Sequence, residues 1–173
     1  MKKLILVLLA VAMLFCTVAC NSDGTPTGMQ DVALESASFH LYVSEFWIST
    51  ASSGISGAKA TTGPTAPNVT ATVYYPSEQM DVAAYWQNKC MPEYNANFKG
   101  LEVQEQGTAT TLGGKDAQIF VFKFALGQDI YRCKQVMTVY EYQIYTVTYT
   151  ALEKDYDTYK AEVDEILANF TFK

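Results

Sequence analysis

The sequence predicts an α+β fold, with an antiparallel sheet carrying two helices. Three patterns lead there. Apolar residues alternate at Phe39, Leu41 and Val43, and again at Val69, Ala71, Val73 and Tyr75, the period of half-buried strands. Two segments, Asp81–Phe98 and Tyr156–Phe170, instead carry their apolar residues at spacings of three and four. In the second half the strand-like runs are separated by two or three residues, which forces neighbouring strands to run antiparallel. Strands, helix, strands, helix is the order of an α+β domain rather than of a parallel βαβ fold.

Taken in order, residues 20–35 read as a short polar tether after the N-terminus. The 36–173 stretch reads as one domain, a size the 173-residue chain supports. Ala51–Pro67, rich in Ser, Gly, Thr, Ala and Pro, predicts a loop. Pro76 stops the Val69–Tyr75 strand. In the first helix Val82, Tyr85, Trp86, Cys90 and Tyr94 share a face, Pro92 divides or kinks it, and Gly100 suits a left-handed cap. Leu112-Gly113-Gly114-Lys115 predicts a tight turn between strands, and Gly127-Gln128-Asp129 another. Ile130–Tyr140 and Tyr142–Ala151, full of Thr, Val, Tyr and Ile, predict a strand pair joined at Glu141.

The N-terminus has the order of a secretory signal. Met1-Lys2-Lys3 is positive, Leu4–Cys16 is almost wholly apolar, and Thr17-Val18-Ala19-Cys20 closes the run before the polar Asn21-Ser22-Asp23. The junction resembles the lipobox of bacterial lipoproteins. That resemblance implies a signal peptide over 1–19 and a lipidated (palmitate-bearing) Cys20 as the mature N-terminus. It also implies a cell-membrane anchor facing the extracytoplasmic side, since two or more chains hold a protein stably at a membrane. Removing residues 1–19 leaves ten basic residues against eighteen acidic ones, a balance of −8. An acidic body with no basic stripe excludes nucleic acid as the expected partner.

With Cys20 lipidated, Cys90 and Cys133 remain as a pair in a compartment that permits disulfides. Cys90 lies on the apolar stripe with Val82 and Trp86. On the strand from Ile130, Tyr131, Cys133, Gln135 and Met137 share one face, with Arg132 and Lys134 on the other, read as solvated. Both thiols are therefore expected to point inward, and a disulfide between them is a candidate.

No catalytic constellation is legible. There is no Gly-x-Ser-x-Gly elbow, and the single histidine, His40, alternates with Phe39 and Leu41 on a strand, where a rim position is expected. Glu153, Asp155 and Asp157 do not continue into a calcium loop, because Gly is missing at position 6 and Glu at position 12 in either register. Acids at a helix start explain them. Gly113-Gly114 lacks the setting of a phosphate loop. No catalytic residue, metal ligand or cofactor is expected. The twelve tyrosines are read mostly as sheet and core residues, with a few available for a binding surface.

Several features together resemble the PsbP-like superfamily, which includes the photosystem II extrinsic protein, the DcrB-like lipoproteins and a Ran-binding nuclear-import factor. They are the aromatic first strand ending at Trp47, the Asn68–Tyr75 strand, the Tyr85-Trp86 helix, Leu112-Gly113-Gly114 before a long strand pair, Tyr145-Thr146-Val147-Thr148-Tyr149, and the closing helix into Phe170. The resemblance covers 36–173 and implies an α/β/α sandwich used as a non-catalytic binding or assembly module with a protein partner. A solute-binding lipoprotein is the alternative, and a carboxylate-dependent extracytoplasmic enzyme comes after it.

Overall fold

The structure is a computed structural model, and it describes residues 24–173. The expected signal peptide, the tether's first residues and Cys20 lie outside the described residues. A seven-stranded antiparallel sheet forms the centre, in the order β4-β5-β6-β10-β9-β8-β7. Its strands are β4 (Ile48–Ser49), β5 (Ser56–Lys59), β6 (Asn68–Tyr74), β7 (Lys99–Leu112), β8 (Lys115–Leu126), β9 (Asp129–Tyr140) and β10 (Gln143–Leu152). Long, β-branched and aromatic runs joined by two-residue turns produce the β7–β10 meander. At Gly113-Gly114 both φ angles are positive (56° and 73°), as the tight hairpin requires.

Each face of the sheet has its own core. On one face lie Phe120, Phe122, Phe124, Cys133 and Met137, covered by Val82, Trp86 and Cys90. Those three come from a helical segment in three parts: α1 (Val82–Tyr85), a π-helical turn (Trp86–Cys90) and α2 (Met91–Asn97). Asp81 caps the start, its carboxylate accepting from the Ala84 N–H at 2.7 Å. The helical run continues through Pro92, which sits in the first turn of α2, and the widened turn ends at Cys90. Gly100 is not the cap: the helix stops at an extended Phe98, and Gly100, with φ 61°, already belongs to β7.

The opposite face carries Ala117, Val136, Tyr145, Val147, Tyr149 and Ala151. It is covered by Val163, Ile166 and Phe170 around α3 (Lys160–Asn169), together with Phe39, Leu41, Val43 and Trp47. A 3₁₀ turn, Tyr156–Tyr159, leads into α3. The sheet is thus sandwiched between helical layers, an α+β arrangement.

Four further expectations need correction. The domain begins before residue 36. β1 (Met29–Asp31) pairs with β3 (Tyr42–Ser44), Val32 is 3% exposed, and Gln30 Nε2 donates to the Trp47 carbonyl at 2.7 Å. The 51–67 segment is not simply a loop, because its small residues form β5. A Cβ at Gly57 would come within 2.8 Å of the Val69 carbonyl oxygen, so only Gly lets the strands approach. The Arg132/Lys134 face is covered rather than solvated: Arg132 lies over the Tyr156 ring at 4.4 Å, and Lys134 Nζ meets Asp164 at 2.8 Å. Finally, the acids before α3 do not cap it. Neither Asp155 nor Tyr159 makes a side-chain cap, and Glu153 instead pairs with Lys123 at 2.6 Å.

β11 (Thr171–Phe172) closes the chain by pairing with β2 (Phe39–His40). That places Phe172 under the β7–β8 turn, where a Cβ at Gly113 would meet the Phe172 ring at 2.6 Å.

Candidate binding surface

Cys90 and Cys133 both point into the core beneath the helices, as the periodicity predicts. They are not joined: both thiols are free. Each thiol has hydroxyl neighbours. Cys133 Sγ is 3.2 Å from Thr150 Oγ1 on the neighbouring strand, and Cys90 lies against the hydroxyls of Tyr94 and Tyr85. Tyr94 continues this network into the sheet, its oxygen accepting from Gln135 Nε2 at 2.9 Å, while Gln135 also reaches Thr148 at 3.2 Å. Burial pushes both thiols up to about 11, the hydroxyl contacts pulling weakly the other way. Burial likewise raises the Tyr85 and Tyr94 hydroxyls well above the usual phenol range. Thiolate is the reactive form. Alkylation at neutral pH should therefore be slow in the native protein and should add two labels at Cys90 and Cys133 after unfolding without reductant. No label at either position would restore the disulfide.

Several acid–base groups are tied to structural partners. His40 Nδ1 is 2.7 Å from Asp31, and its ring stacks on Tyr42. The Trp47 indole N–H donates to Glu162 at 2.7 Å, fixing α3 to the first strands. Asp164 takes Lys134 on one oxygen and Lys160 on the other. Partial burial raises the Asp164 carboxyl, the two ammonium groups lower it, and the ammonium groups win: it lies below its ordinary value. A depressed carboxyl contributes stability above the unfolded value of about 3.9, and that contribution is lost as pH falls through the folded value. Asp164→Asn should thus flatten the loss of stability below about pH 4 in acid-unfolding curves. An unchanged acid limb would contradict the assignment. Among the described residues no group of three or more His, Cys, Asp or Glu converges as a metal site.

Two hollows flank the β7–β8 hairpin. On the α3 face, a hollow of about 250 Å³ separates Thr110, Gly113 and Ile119 from Asp164, Leu167 and Ala168. On the other face, a wider one of about 710 Å³ lies between Ala109, Asp116 and Gln118 of the hairpin and Asp81 and Val82 at the start of α1. Lys115 borders this second hollow, its ammonium 4.8 Å from the Tyr140 ring centroid. The two hollows flank the same stretch of β7. Sequence reasoning found the turn but missed the surface, because each hollow needs a helix docked from elsewhere in the chain. A signal was available in Thr108-Ala109-Thr110-Thr111, a strand stretch without charge or proline. The tyrosines are mainly structural: Tyr145, Tyr149 and Tyr156 are buried, whereas Tyr75 and Tyr142 are conspicuously exposed.

No protein-family model matches the sequence, and no curated protein does. Solved structures share the fold at low identity. The chain is similar to cyanobacterial PsbP (CyanoP) from Synechocystis, with a TM-score of 0.61, 15% identity, and coverage of 90% of this chain and 98% of that one. It is similar to LpqN of Mycobacterium tuberculosis, involved in cell envelope biogenesis, with a TM-score of 0.59, 19% identity, and coverage of 78% and 83%. It is also similar to the Saccharomyces cerevisiae Ran-binding protein Mog1p, with a TM-score of 0.57, 8% identity, and coverage of 83% and 95%. The architecture is the PsbP-like α+β fold.

Proposed function

We propose that this chain is a membrane-anchored extracytoplasmic lipoprotein, lipidated at Cys20, whose domain acts as a non-catalytic binding or assembly module for another protein. One observation carries the reading: the β7–β8 edge and its two hollows stay open, while His40, Lys134 and the two thiols are engaged with structural partners. Catalysis needs a nucleophile or acid and a base converging on one accessible point, and these side chains do not converge. The neighbours' descriptions agree with it: a protein of cell envelope biogenesis and a Ran-binding protein share the fold. No helix among the described residues is long and apolar enough to cross a membrane, so anchoring rests on the sequence before Asn21.

The test uses full-length protein extracted from membranes in detergent, measured by intact mass and by chemical crosslinking. The expected result is loss of residues 1–19, added acyl mass on Cys20, and a crosslinked protein partner. A full-length mass, or an unmodified Cys20 released into the medium, would remove the anchor. A retained small molecule with no crosslinked protein would replace the module with a solute carrier.

A further inference from the structure

Sheet edges present unpaired backbone N–H and C=O groups, and folded proteins blunt them with short strands, charges or bulges. One edge of this sheet is blunted in that way, since β4 is two residues long. The other edge is β7, fourteen residues long. Its first half is protected: it carries Lys99, Glu102 and Glu105, and its register against β8 shifts between Lys99 and Glu102, between Val103 and Glu105, and between Gln106 and Thr108. Its second half is not. From Thr108 to Leu112 the register is regular, no residue is charged, and Thr108, Ala109 and Thr111 are exposed.

The hairpin fixes which backbone groups face outward. A two-residue turn makes Leu112 and Lys115 a hydrogen-bonded pair, so bonded and non-bonded pairs alternate back along β7. Thr111 opposite Asp116 and Ala109 opposite Gln118 are then non-bonded pairs. Their N–H and C=O groups therefore point away from β8, towards the edge.

We propose that this stretch is a strand-addition site, at which an extended segment of a partner protein extends the sheet beside Thr108–Leu112. This names the partner chemistry for the module read above and rests on that reading. Main-chain bonds to Ala109 and Thr111 supply affinity, and alternate side chains of the added strand enter the two hollows, one on each face. The residue opposite Ala109 enters the wider hollow, where Asp81 and Asp116 outnumber Lys115, whose ammonium lies over the Tyr140 ring, and suit a basic side chain. The residue opposite Thr110 enters the smaller one against Ile119, Leu167 and Ala168, where an aliphatic side chain fits. Lys134, which also lines it, is paired with Asp164 at 2.8 Å rather than free. The occupant is therefore a strand of alternating basic and aliphatic residues, complementary to a strongly acidic domain.

The probe is a degenerate octapeptide mixture with Lys or Arg at odd positions and Val, Ile or Leu at even ones, compared with a mixture carrying Asp or Glu at the odd positions. On the detergent-extracted full-length protein, the basic mixture should bind at least tenfold more tightly and should slow amide hydrogen exchange across residues 107–112. Ala109→Pro removes only an outward N–H, which an edge strand tolerates. It should lower binding at least tenfold with the melting temperature little changed, and Thr111→Lys, which puts a charge on the edge, should do the same. Equal binding by both variants, equal binding of the acidic mixture, or protection confined to another region would overturn the proposal. So would concentration-dependent protection of 107–112 without peptide, which would make a second copy the occupant. A crosslinked protein partner that persists in Ala109→Pro would sink strand addition while leaving the module reading in place.

Discussion

Trp86→Ala should destabilise the domain by about 3–5 kcal/mol, the range for deleting a large buried aromatic. In chemical unfolding this appears as a large drop in midpoint with the slope retained, and in thermal unfolding as a fall of roughly 10 °C or more. Trp86 is fully buried, stacks on Phe120 at 4.2 Å and contacts Tyr94 and Phe122, so it ties the helical segment to β8. Its indole Nε1 has no hydrogen-bond partner among the described residues. A buried, unpaired donor costs about 1–3 kcal/mol. Trp86→Phe deletes that donor along with part of the ring and should therefore cost no more than about 1–2 kcal/mol. Equal losses for Ala and Phe would show that the unpaired indole is not a liability.

Gly113→Ala should cost about 2–5 kcal/mol. Part of this is the left-handed backbone at φ 56°, worth about 1–2 kcal/mol for a residue with a Cβ. The rest is overpacking, typically about 1–3 kcal/mol. The new methyl would meet Phe172 at 2.6 and 2.8 Å and Phe170 at 3.3 Å, and both rings are held in an aromatic cluster with Tyr140, Tyr145 and Phe39. Gly114→Ala is the internal control. Its φ is also left-handed, at 73°, but nothing lies within 4 Å of its Cβ, so only the backbone penalty applies. Similar melting temperatures for the two variants would mean that β11 yields freely under the turn.

The meander, both helices and their buried faces are legible in the sequence because they are local patterns. Tyr145, Val147 and Tyr149 alternate as buried residues on β10, and Val163 and Ile166 fall on the buried side of α3, where a period of 2 or 3.6 places them. What could not be read depends on distant backbone. β1 holds its place through Gln30, whose amide reaches carbonyls fourteen to seventeen residues away, and Asp31, which binds Leu41 N–H and His40. Such contacts leave no periodic trace. β5 is hidden for another reason: Ser56, Gly57 and Ala58 look like loop residues, yet they are small because β6 lies so close. The Cys90–Cys133 pair shows where periodicity stops, since it gives each thiol's direction but not its hydroxyl neighbours. The open edge was hidden in the same way, because sheet order is set by which strands find each other.

The π-helical turn bears on how this layer can vary in length. Val82, Trp86, Cys90, Tyr94 and Phe98 recur every four residues, and all five pack on the sheet. In an unbroken α-helix of 3.6 residues per turn, each step of four overshoots by about 40°, so Phe98 would end on the far side from Val82. The turn at Trp86–Cys90, closed by the Met91 N–H bonding back five residues to the Trp86 carbonyl, absorbs that overshoot and returns the stripe to phase. The helical layer therefore accommodates one residue more than a regular helix of the same span. Losing one exposed residue such as Asn88 should close the widened turn into an ordinary α-turn and leave Tyr94 facing Phe122.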